Sequence, residues 1–207
     1  LNQIASDSTL TADQARTTFQ AALSTSVSDA LTATQLGPDN YQNWVALGNV
    51  YATVVPLNID GSYDNAKTAY QHAVDLNPTN PVLPFMLAEL EIAGKNNAAA
   101  EADLTSAISL KHDYTQAIFL LSQLEVQEGK ATEALQAAEA AAYFAPTDPT
   151  VLFQVGLLRL GTNDPDGAID ALMAAVKVNP QYANAHFFLA VAYAAKKDYA
   201  AAVTELE

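Results

Sequence analysis

The sequence predicts an all-α protein, an α-solenoid of antiparallel helix pairs, and three observations predict it. Half of the 207 residues are hydrophobic, and Ala is abundant while Gly (8) and Pro (9) are few and widely spaced, which favours helix over turn-rich β structure. Residues 115–148 overlay 149–182 with Ala134 on Ala168, Ala141 on Ala175 and Pro146 on Pro180, so the chain repeats with a period of 34. Small residues recur in phase with that period. Gly48, Ala88, Ser122, Gly156 and Ala190 form one column, and Ala66, Ala100, Ala134, Ala168 and Ala202 another, as closely crossing helices require.

Taken in order, Thr11 to Gln35 is strongly helical, with Leu31, Ala33 and Pro38 in the phase of a second helix one unit upstream. Residues 1–40 therefore read as an N-terminal helical cap, built as a degenerate half-repeat or as one long helix. In "WVALGNVY", Trp44, Leu47, Gly48 and Tyr51 share one helical face, which predicts a helix over 41–54. Six extra residues, "VVPLNI" (54–59), precede the next helix, 63–76, which carries Tyr63, Ala66, Tyr70 and Ala73. The spacing then predicts helices at 82–93, 97–110, 115–128, 131–144, 149–161, 165–178, 183–195 and 199–207. Pro78, Pro146 and Pro180 stop the second helix of their pairs, and His112 replaces proline once.

The run Trp44, Leu47, Gly48, Tyr51, then Ala66, Tyr70, Ala73 and Pro78, resembles the tetratricopeptide repeat (TPR) family. The resemblance covers about 41–207: repeats 41–80 with the six-residue insertion, 81–114, 115–148 and 149–182, and a partial repeat 183–207. It implies a right-handed superhelix with a packed, buried Trp slot, so Trp44 is expected in the core. Two repeats depart from the motif, with Glu91 and Glu125 in the Tyr slot. A weaker resemblance, over about 40 residues around "NYQNWVALGNVY…VPLNIDGSYDNAKTAY", is to the TPR tails of bacterial O-antigen ligase-like membrane proteins. It implies an extracytoplasmic accessory domain.

Composition and motifs narrow the functions. With 23 acidic against 9 basic residues the formal charge is −14, the wrong sign for a phosphate backbone, so no nucleic-acid partner is expected. Cysteine is absent, which excludes disulfides and thiol chemistry. No apolar run approaches the roughly 20 residues of a membrane span, so this stretch is not expected to insert in a membrane. The start lacks Met and a basic n-region, and the helical pattern stops at Leu206 and Glu207 inside a repeat; the expectation is a processed or excised soluble fragment. His72, His112 and His186 lie on different units without a second ligand at i+3 or i+4, and "DPDG" (164–167) resembles a calcium-loop start without the later glutamate. No catalytic residue, metal or cofactor is expected.

One column remains for function. One residue after the Trp slot stand Val45, Phe85, Phe119, Phe153 and Phe187, and four residues on come Asn49, Glu89, Gln123, Leu157 and Val191. The TPR resemblance places that slot on the concave surface of the superhelix, where partner peptides lie. Phe85, Phe119, Phe153, Phe187, Asn49, Gln123, Leu157 and Val191 are therefore the candidate peptide groove. The competing reading packs each ring sideways against the next first helix. The carboxylate clamp of chaperone-binding TPR proteins is missing, because its Lys, Asn and Arg slots hold Val45, Phe85 and Phe119. The expected function is a scaffold for a protein or peptide partner, with self-assembly through open repeat ends as the rival.

Overall fold

A computed structural model describes residues 11–207. The described residues are helical and turn segments, and they divide into two compact units, one ending at Leu110 and the other spanning Lys111–Glu207.

In the first unit, α1 (Ala12–Leu36) opens with a capping box: the Thr11 hydroxyl accepts from the Gln14 amide, and the Gln14 side chain accepts from the Thr11 amide. It is one long helix. At its end the Gly37 amide donates to the Ala33 carbonyl at 3.0 Å, and the Asn43 side-chain amide adds bonds to the same carbonyl at 2.8 Å and to the Gly37 carbonyl at 3.0 Å. Then follow α2 (Tyr41–Ala52), a 3-10 turn (Val55–Leu57), α3 (Ser62–Leu76), α4 (Val82–Ala93) and α5 (Asn97–Leu110), each packed on the helix before it. The second unit continues with α6 (Thr115–Gln127), α7 (Ala131–Phe144), α8 (Pro149–Gly161), α9 (Pro165–Val178), α10 (Ala183–Ala195) and α11 (Tyr199–Thr204), again neighbour on neighbour, with α8 also touching α10.

The expected helix bounds differ by more than one residue at two places. α2 ends at Ala52 rather than 54, because Pro56 offers no amide and the chain tightens into the 3-10 turn. The insertion is anchored at its start and exposed beyond it: Val54 and Val55 are buried, and Val55 packs with Ala66, Tyr70, Leu87 and Leu90, while Pro56, Leu57, Asn58 and Ile59 are exposed. α11 stops at Thr204 instead of 207, where the Leu206 amide closes a turn onto the Val203 carbonyl at 3.0 Å and the α ladder ends.

The two small-residue columns lie in the helix crossings. Ala66, Ala100, Ala134 and Ala168 are fully buried, as are Ala88 and Ser122, and Ala190 and Ala202 nearly so. A β-carbon added at Gly48 would stand 2.4 Å from the Tyr70 ring, and one at Gly156 would stand 2.5 Å from Leu172, so these sites exclude any side chain. Where Ser122 fills the slot, its hydroxyl donates to the Ala134 carbonyl at 2.7 Å, so that hydroxyl is not buried unpaired.

The turns inside the pairs are also periodic. Lys95, Gly129, Asn163 and Lys197 all have positive φ (61°, 76°, 63° and 64°), and all stand 34 residues apart. Each is the C′ residue of a Schellman motif. The Asn96, Lys130, Asp164 and Asp198 amides reach back five residues to Glu91, Glu125, Arg159 and Tyr193, at 2.8, 2.9, 2.8 and 2.9 Å. Gly61, with φ 71°, takes that place in the first pair, behind the insertion.

Candidate functional site

The phenylalanine column falls on the first helices of both units, and burial separates its members. In the first unit, Val45 on α2 and Phe85 on α4 are half-buried. One turn along, Asn49 is exposed, but its side-chain oxygen accepts from the Tyr70 hydroxyl at 2.7 Å, which leaves the amide nitrogen as its outward-facing donor. Burial, helped by the nearby Glu89 charge, pushes the Tyr70 phenol up to about 12, so it stays a neutral donor at every physiological pH.

In the second unit Phe119 on α6 is half-buried, with Gln123 exposed beyond it. Phe153 on α8 is a packing ring. It lies 5.0 Å from Tyr182 and 5.8 Å from Phe188, against the buried cluster of Ala168, Leu172, Leu189 and Ala192. Leu157, one turn on, is half-buried. Phe187 on α10 differs from the others: it is 53 % exposed and makes an edge contact with Phe188 at 5.2 Å. Val191, four residues later on the same helix face, is 40 % exposed. The open apolar surface of the column in this unit is thus concentrated on α10.

Trp44 packs with Ala30, Leu47 and Ala69, stacks on His72 at 4.4 Å and donates its indole N–H to the Pro38 carbonyl at 2.7 Å. The ring is half-buried against these neighbours rather than in the core, where the resemblance implied it would lie. Among the described residues no three His, Cys, Asp or Glu side chains gather where a metal ion could sit, and no helix is long and apolar enough to cross a membrane.

Sequence reasoning noted charged residues in the Tyr slot without assigning them partners. Glu91 on α4, only 1 % exposed, accepts from the Tyr63 hydroxyl at 2.5 Å and pairs with Lys67 of α3 at 2.7 Å; the Asn96 amide donates in turn to the Tyr63 oxygen at 2.7 Å. Burial alone would raise this carboxyl, yet Lys67 and Tyr63 hold it below the usual range. Burial, together with the Glu91 charge, pushes Asp103 on α5 up to about 6. In the second unit the same slot holds Glu125 and Arg159, and Arg159 reaches Glu139 of α7 at 2.6 Å and Asp164 ahead of α9 at 3.2 Å. The departure of these residues from the aromatic motif was the available signal.

The comparisons with known proteins agree with this architecture. Residues 59–80 and 155–207 match models described as tetratricopeptide repeat. RNA polymerase II-associated protein 3 from Rattus norvegicus is 42 % identical over 57 residues, and that from Homo sapiens 40 % over 57 residues, which is 28 % of this chain. The match spans 9 % of the length of those relatives. Among solved structures, YrrB, described as a TPR protein with an unusual peptide-binding site, superposes with a TM-score of 0.68 at 17 % identity, over 86 % of this chain and 88 % of that one. MamA superposes with a TM-score of 0.64 at 20 % identity, over 70 % of this chain and 85 % of that one. Its form from Desulfovibrio magneticus RS-1 gives 0.63 at 18 % identity, over 77 % and 90 %. The fold is a helical-repeat solenoid.

Proposed function

We propose that this chain, a member of the tetratricopeptide-repeat family, is a protein-interaction scaffold whose second unit holds a peptide or helix of a partner against Phe187 and Val191. The observation that carries the reading is the exposure of Phe187. A ring left half open contributes little to folding, and an apolar anchor at i with a second at i+4 suits an amphipathic segment. Phe119, Leu157 and Gln123 extend the surface on the other first helices of that unit, with apolar contacts and one amide. Recognition then rests on apolar burial and hydrogen bonds rather than on a carboxylate clamp. The peptide-binding site described for YrrB supports a peptide as ligand.

A displayed random-peptide library panned on the whole chain supplies the probe, and calorimetry measures the enriched peptides against Phe187→Ser and Val191→Ser. Both variants should melt like the parent and bind at least about 30-fold more weakly, which corresponds to about 2 kcal/mol. Failure to enrich any peptide, or unchanged binding by Phe187→Ser, overturns the assignment. Concentration-dependent sedimentation without peptide would favour the rival, self-assembly. The exposed Tyr199, Val203 and Leu206 in and just after α11 support that second reading.

A further inference from the structure

His186 occupies the slot that Trp44 holds in the first repeat, and the two rings do the same backbone work. Trp44 donates to the carbonyl six residues before it, Pro38, and His186 presents Nε2 to the carbonyl six residues before it, Pro180, at 3.1 Å. Histidine adds a second ring nitrogen. Its Nδ1 stands 2.7 Å from Oε2 of Glu205, the residue that ends α11. A carbonyl oxygen has no proton to give, so Nε2 must donate, and a carboxylate at that distance accepts, so Nδ1 must donate as well. Only the imidazolium donates from both nitrogens.

The surroundings hold that charge in place. The ring and Glu205 are about a third exposed or less, and together with Gln181, Ala183, Phe187 and Leu206 they border a cavity of about 600 Å³. The charged groups facing His186 there are Glu205 and Glu207, both from the segment after α11; the turn ahead of α10 supplies the neutral Gln181 and the Pro180 carbonyl, and α9 puts no charged side chain into the lining. Every facing group therefore favours the protonated ring.

We propose that His186 is a proton-controlled latch: as imidazolium it clasps Glu205 and holds α11 against α10, and on losing its proton it loses the ion pair and one of its two hydrogen bonds, so that α11 is held less firmly beside the cavity. The hydrogen bonds to Glu205 and Pro180 raise the docked ring above the ordinary imidazole value. The sign follows from linkage. A raised pKa means the latch contributes fully below the undocked value, about 6.5, and its contribution is lost as pH rises through the docked value. The proposal does not depend on Phe187 anchoring a partner.

The test needs no ligand. Proton NMR follows the His186 ring Cε1–H, assigned by the signal that Gln substitution removes, while amide exchange reports protection of α11 from about pH 5.5 to 8.5 after normalisation to intrinsic rates. The docked ring should titrate above about 6.5, and α11 protection should fall several-fold across that same midpoint. Glu205→Gln keeps a side-chain acceptor, removes the charge and leaves the buried core untouched; it should lower the midpoint by more than about half a unit and flatten the protection step. A wild-type midpoint at or below about 6.5, or an α11 pH profile identical in wild type, His186→Gln and Glu205→Gln, overturns the latch.

Discussion

Glu91 shows how one side chain sets the chemistry of a helix crossing. Its carboxylate is almost wholly buried, while its partner Lys67 is about half exposed, so the two ends of the pair are not equivalent. Removing the lysine strands a buried charge. Lys67→Met should cost about 1–3 kcal/mol near neutral pH, well above the usual cost of changing an exposed lysine. The pH dependence has a definite sign. Because the Glu91 pKa is lowered on folding, the pair contributes above the unfolded value of about 4.3 and is lost as pH falls through the lower folded value. In Lys67→Met the carboxyl loses its counter-charge and its folded pKa rises, so the mutant penalty should shrink on acidification. Asp103 runs the other way, losing stability as pH rises toward about 6. Thermal melts of the parent and Lys67→Met from about pH 4 to 8 check this, and a penalty independent of pH would exclude a buried charge as its cause.

At the scale of the element, the turn inside each helix pair repeats its left-handed residue every 34 positions, yet only one of the four Schellman turns uses glycine. Lysine pays a steric cost in that region that glycine avoids, and asparagine pays less. Lys95→Gly and Lys197→Gly should therefore each stabilise by about 0.5–1 kcal/mol, Asn163→Gly by less, and Gly129→Ala should destabilise by about 1–2 kcal/mol. A β-carbon at Gly129 meets nothing within 4 Å, so that loss would be a backbone effect alone. Chemical denaturation of the four variants decides it; a neutral Gly129→Ala would remove strain from the account. The helices themselves were legible in the sequence because packing partners recur in phase, and most bounds follow from proline and periodicity. The left-handed column was not legible, because Lys, Gly, Asn and Lys share no side-chain property that a periodicity reading detects.

Within each of the two units, helices pack chiefly on their neighbours in sequence, so damage should stay local. Ala168→Leu would overpack a fully buried crossing beside Leu172 and Leu189 and should cost about 1–3 kcal/mol. Amide exchange should show the loss of protection centred on α8, α9 and α10 and fading with distance along the chain, whereas an unchanged melt would contradict the repeat register. The same neighbour rule explains why the candidate site was harder to read than the fold. Phe153 and Phe187 are equivalent in register, but α10 brings Phe188, and the turn before it brings Tyr182, against Phe153, while Phe187 has Phe188 as its aromatic neighbour. A column in the sequence assigns a position on a helix; the next helix decides whether that position is covered.

The charged residues in the Tyr slot also bear on whether the repeats are interchangeable parts. Glu91 answers to Lys67, and Arg159 answers to Glu139 and Asp164. If the pair α8–α9 were transplanted into the place of α4–α5, Arg159 would arrive opposite Lys67; the reverse exchange would set Glu91 against Glu139. Like charges would meet at a crossing in either case. The small-residue columns give the repeats a common fit, and these pairs give two of them an address, so part of the order of the repeats is written into the interior as well as into the chain.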